Sequence, residues 1–152
     1  MLYTPHALVG ATIAYVFPNP AVALPLSLVS HLLFDVAPHT NPSPRRSKGW
    51  SKVIMGLEVL IGTIILILYS QLLSTTPSQS YLMFLSGVTA NLPDLMMIPY
   101  VIFKRKCNLC IGITKFQKLI QTHVSAKWGY PIQIALIILL FLTFSGKLLQ
   151  GF

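Results

Sequence analysis

His31 and Asp35 stand four residues apart in the run His31-Leu-Leu-Phe-Asp35-Val-Ala-Pro-His39. On a helix such residues share a face one turn apart, so an imidazole and a carboxylate are presented together. These are metal-ligand types at metal-ligand spacing. Pro38 disfavours helical geometry at Ala37, which ends the helix and lets His39 fold back from the following turn. Asp94 follows Pro93, Glu58 interrupts an apolar run, His6 lies at the start of the chain and His123 lies late in it. Such a set can hold a divalent cation that activates water, with Glu58 or Asp35 accepting the proton. The competing readings are structural: a His31–Asp35 pair that locks two helices, Asp94 capping amides freed at a kink, and Glu58 paired with a lysine.

The elements that must position these residues are those of a membrane protein. Of 152 residues, 54% are hydrophobic and 9% charged, far from the soluble mix. The three acids, Asp35, Glu58 and Asp94, sit within or at the ends of apolar runs. An ionisable group deep in a spanning helix costs about 3 kcal/mol on insertion scales, so these placements call for partners or a task. A net charge of +8 is not read as nucleic-acid binding, because the basic residues flank apolar runs and no reading motif accompanies them. They orient the chain and contact anionic headgroups. Cys107 and Cys110 make no disulfide framework and are expected as reduced thiols, and a lone CxxC is a weak zinc signal. No secretory signal is expected before the break at Pro18-Asn19-Pro20.

The pattern predicts an all-α integral membrane protein forming a single membrane domain over 1–152. Residues 1–39 make a helical hairpin, with Thr4 as N-cap and Pro5 at the first helical position. Each arm is shorter than the ~20 residues of a comfortable span, so the hairpin is either thin or re-entrant. A basic, proline-rich loop follows, with Trp50 as a headgroup anchor. Spanning helices are expected at 53–73, 81–103 and 131–148, the second kinked by Pro93. Between the last two, Thr114-x-x-Gln117 reads as a capping box opening an interfacial helix over 114–126. Its buried stripe would be Phe116, Leu119, Ile120, His123 and Val124.

Ten of the eleven basic residues lie in 45–52 and 104–127, which places both segments in the cytoplasm. Helical rise then sets Glu58 about 9 Å and Asp94 about 15 Å into the bilayer from that face. His31 and Asp35 lie in the last turns of a helix ending there, with His6, His39 and His123 at the face itself. All the candidate groups thus gather in one leaflet.

Thr4-Pro5-His6-Ala-x-x-Gly10, the His31-x-x-x-Asp35 helix with Pro38-His39, Leu92-Pro93-Asp94, and Thr122-His123 together resemble the YdjM-type membrane-bound metal-dependent hydrolases. More remotely, the His/Asp set is similar to that of zinc-dependent phospholipase C. The resemblance implies a multi-helix inner-membrane protein whose His and Asp residues bind one or two divalent metals, zinc foremost. The chain departs from the family pattern in two places, where a fuller His-Arg-Gly-x-Thr-His is reduced to Gln121-Thr122-His123 and a Pro-Asp-x-Asp-His to Pro93-Asp94-Leu95-Met96. On this reading His6, His31, Asp35, His39, Asp94 and His123 are the metal ligands, and a lipid-headgroup phosphoester at the cytoplasmic face is the substrate. The alternatives are a non-enzymatic protein that binds or passes metal ions or protons through the same cluster, and a scaffold held together by it.

Overall fold

The computed structural model describes residues 2–40, 50–101, 107–122 and 124–148, and among these the chain is all-helical, without strands. Helix α1 (Tyr3–Val16) and helix α2 (Pro20–Val36) form the expected hairpin. Asn19 caps α2 by accepting from the Ala21 N–H at 2.9 Å, and Pro20 fills the first helical position, where its missing donor costs nothing. Thr4 is not the cap of α1: the helix starts two residues earlier than expected, at Tyr3 after Leu2, with no side-chain cap of its own. Its free N–H groups are taken by other helices instead. Leu2 donates to Gln133 Oε1 at 2.7 Å, while Tyr3 and Thr4 donate to the two Glu58 oxygens at 3.1 and 3.0 Å.

Helix α3 (Trp50–Leu73) runs parallel to α1, and helix α4 (Pro77–Ala90) returns antiparallel to it after a turn capped by Thr76. The single span expected over 81–103 is broken. Asn91 ends α4, its N–H on Val88 O and its side chain on Gly87 O at 3.0 Å, and helix α5 (Leu92–Val101) begins at the next residue. Pro93 therefore sits in the first turn of a new helix, where it is tolerated, and not at a kink in an old one. Helix α6 (Asn108–Ile120) packs on α5 and α2, and helix α7 (Ala126–Leu148) on α1 and α3. Here Pro131 lies inside α7 and does not open it. Cys107 and Cys110, expected as thiols, are joined as a disulfide at the start of α6.

The short helix α1 is the centre of the bundle, buried over most of its length, and contacts α2, α3, α4 and α7. Its small residues make this possible. A Cβ at Gly10 would come within 2.5 Å of the Ser86 carbonyl oxygen, and one at Gly87 within 2.7 Å of the Ala7 carbonyl oxygen. The α1 and α4 backbones touch there, as small residues allow. Ala7, Leu8, Ala11, Ala14, Leu66, Tyr69 and Met83 complete this core.

Helix α6 has the reverse of the expected orientation. It starts at Asn108 and not at Thr114, whose hydroxyl bonds Cys110 O at 2.7 Å inside the helix, so no capping box forms. Its buried face is the polar one, Cys110, Thr114 and Gln117, while Phe116 is 51% and Leu119 82% exposed. Two helices, with windows Val53–Leu73 and Ala126–Thr143, are long and apolar enough to cross a membrane. Most of their exposed positions are Val, Ile and Leu.

Candidate metal centre

The start of α1, the end of α2, the start of α5 and the second half of α6 meet at one end of the bundle. The hairpin brings His6 of α1 beside His31 and Asp35 of α2, with the His6 and His31 rings stacked at 4.0 Å between centroids. The break at Asn91 sets Asp94 into the first turn of α5, where a carboxylate is favoured by the helix dipole. Beyond α2, His39 folds back as its sequence position implied. Its Nδ1 donates to Ala37 O at 2.8 Å, and its backbone bonds Thr122 O and Val124 N at 3.1 and 3.0 Å. That fixes the tautomer and leaves the Nε2 lone pair 3.7 Å from Asp35 Oδ1.

Asp35 is the hub. It is completely buried, with Oδ1 3.3 Å from His6 Nε2 and Oδ2 3.4 Å from His31 Nε2. His31 Nε2 is also 3.5 Å from Asp94 Oδ1. These separations are longer than good N–H···O hydrogen bonds. They are the right length for two ligands of one ion: bonds of 2.0–2.1 Å at tetrahedral angles put neighbouring donor atoms about 3.3–3.4 Å apart. His6, His31 and Asp94 offer ligand atoms that all lie within 4.8 Å of one another, a group able to hold a metal ion. The Asp94 side chain, 33% exposed, is the open edge of an otherwise closed cluster.

Two glutamines complete the cluster, and the sequence reading did not place them there. Gln121 Nε2 donates to Asp35 Oδ2 at 2.8 Å, and Gln117 Nε2 donates to Asp94 Oδ1 at 3.0 Å while lying 2.9 Å from His31 Nε2. The signal was available in their four-residue spacing on the polar stripe of α6.

With both carboxylates ionised, no placement of protons satisfies the atoms around His31 Nε2. A proton on Nε2 points at the Asp35 or Asp94 oxygen and opposes the Gln117 amide hydrogens. Without it, Gln117 can donate, but the lone pair faces two carboxylate oxygens. Turning the amide over relieves the first conflict and sets Gln117 Oε1 against Asp94 Oδ1. A cation shared by these acceptors resolves the conflict, since every lone pair then points at positive charge.

Glu58 stands apart. Besides the two backbone contacts it accepts from the Thr4 hydroxyl at 3.0 Å, so its carboxylate caps α1 two residues before His6. These partners hold the start of α1 in place, and the proton-transfer role expected of Glu58 has no partner of its own in the His/Asp cluster among the described residues. His123 and most of the basic loop, 41–49, lie outside the described residues. A cavity of about 550 Å³ lies at the far end of the bundle, by the α3–α4 turn, walled by Ser70, Ser74, Thr75, Thr76 and Tyr81 among others. It shares no residue with the His/Asp cluster.

Among the described residues, the fold and site define an all-helical structure with two helices long and apolar enough to span a membrane and a largely buried His/Asp group able to take a metal ion. No family model, curated protein or solved structure matches it.

Proposed function

We propose that this chain is an integral membrane protein of the YdjM type, a metal-dependent hydrolase whose His/Asp cluster binds one or two divalent cations, zinc foremost. The membrane reading is supported by α6, whose apolar face points outward and whose polar face points in, the opposite of a helix lying on a water-soluble core. It is supported too by the Gly and Ala contacts between α1 and α4 and by the apolar outer faces of α3 and α7. On this reading α3 and α7 cross the bilayer, and the shorter helices are embedded between them. The concentration of basic residues in 45–52 and 104–127 supports a cluster at the cytoplasmic leaflet.

The observation that carries the metal reading is the conflict at His31 Nε2, ringed by Asp35 Oδ2, Asp94 Oδ1 and Gln117 Nε2 at 3.4, 3.5 and 2.9 Å. His6, His31 and Asp94 would hold the ion, with Asp35 and His39 as further ligands or as groups that fix the imidazoles. A divalent cation there supplies a water of lowered pKa and polarises the bond to be cleaved. Gln121 steadies Asp35, and with Glu58 bonded to the start of α1, the carboxylate of Asp94 at the exposed edge is the proton acceptor within reach. Asp94 is the exposed edge, so substrate approaches from its side. At that depth the phosphoester of a lipid headgroup is the substrate class within reach.

The test is turnover of a phosphodiester and phospholipid panel by the full chain in detergent or liposomes, with Zn²⁺ or Mn²⁺ supplied. Turnover that chelation stops and Asp94→Asn abolishes, with the fold retained, is the expected result. Metal binding without turnover of any substrate would leave the non-enzymatic, ion-binding reading in its place.

A further inference from the structure

We propose that Gln117 is itself a metal ligand, its carboxamide turning over when a cation enters so that Oε1 takes the position Nε2 now holds. This rests on the metal reading above and adds a neutral oxygen donor to it. Gln117 Nε2 lies 2.9 Å from His31 Nε2 and 3.0 Å from Asp94 Oδ1. Neighbouring ligands of an octahedral ion with 2.1 Å bonds are about 3.0 Å apart, so the amide nitrogen already stands at a coordination position. A cation drawing on His31 and Asp94 would face the amide hydrogens and repel them.

Turning the amide over exchanges two atoms of nearly equal size, so the packing is undisturbed. Only the contacts to Asp94 and His31 that a cation would replace hold the amide as it stands: Gln117 is 1% exposed, and its Oε1 is buried with no hydrogen-bond partner among the described residues. Thr114, one turn earlier, bonds back to Cys110 O and so does not compete for the amide. The resulting set of two imidazoles, carboxylate oxygens and an amide oxygen is richer in oxygen than an all-histidine zinc site. It suits Mn²⁺ and Co²⁺ as well as Zn²⁺.

The experiment uses the full chain in detergent, titrated with Mn²⁺ by calorimetry and with Co²⁺ by visible absorption, in wild type, Gln117→Leu and Gln117→Glu. Gln117→Leu should bind Mn²⁺ at least tenfold more weakly and show altered Co²⁺ bands of higher intensity, the mark of a lost ligand. Gln117→Glu, which keeps side-chain length, should bind Mn²⁺ at least tenfold more tightly with Co²⁺ bands of wild-type intensity. If Gln117→Leu does not fold, the Glu variant alone decides. Unchanged Co²⁺ bands in Gln117→Leu, or weaker Mn²⁺ binding in Gln117→Glu, overturns the role of Gln117 while leaving the metal centre standing. A wild-type chain that takes up neither ion overturns both.

Discussion

The two ends of helix α1 are built on opposite principles. From Ala7 to Ala14 it lies against α4 through Ala and Gly, with no room for a methyl group at Gly10 or Gly87. Around His6 the same helix meets Asp35 of α2 at 3.3 Å, and His31, Asp94 and the two glutamine amides close the cluster at 2.8–3.5 Å, with His6 Nδ1, His31 Nδ1 and Gln117 Oε1 buried without a hydrogen-bond partner among the described residues. The apolar end is filled and its geometry is fixed by backbone contact. The polar end brings imidazoles and carboxylates together in a group able to hold a metal ion. The close-packed end holds the helices in register, and that register aligns the ligands.

The largest effect separating the two ends should come from Asp35. Asp35→Ala leaves His6, His31, His39 and Gln121 without their common partner, and a loss of about 3–5 kcal/mol in stability is expected together with loss of bound metal. Asp35→Asn, of the same shape, should retain the helical content seen by circular dichroism while metal content still falls. Next comes the apolar end. Gly10→Val forces α1 off the α4 backbone, and thermal or denaturant unfolding in detergent should show a loss of about 1–3 kcal/mol. Metal stoichiometry in the surviving folded fraction should be unchanged, because no ligand lies at that contact.

A smaller effect is expected at the boundary between the ends. Glu58→Gln keeps the shape of the α1 cap but gives up its charge and one acceptor oxygen, for a cost of about 1 kcal/mol. Metal affinity should stay within a few-fold of wild type. A complete loss of activity with unaltered stability would return Glu58 to the proton-transfer role first read from the sequence.

Much of the polar end was legible in the sequence. The four-residue spacing of His31 and Asp35 and the proline before His39 determine how those side chains lie, and the structure brings His6 and Asp94 to them. The partners of Glu58 are main-chain N–H groups fifty-odd residues away, which no local pattern in its apolar run reveals. The glutamines were missed for a different reason. Amphipathic periodicity gives the two faces of α6 but not which is inside, and here the polar face is the buried one. Nor did hydropathy identify the central helix: the long apolar helices, α3 and α7, lie outside, and the shorter α1 is buried because its small residues allow close approach.

The most direct measurement is the metal content of the purified full chain by mass spectrometry, with its thermal stability followed before and after chelation. At least one equivalent of zinc, manganese or iron per chain should be found, and chelation should lower the melting temperature by several degrees, reversed on restoring the ion. A chain free of these metals, with a melting temperature indifferent to chelator and to added ion, would contradict the claim that His6, His31, Asp35 and Asp94 gather around a shared cation.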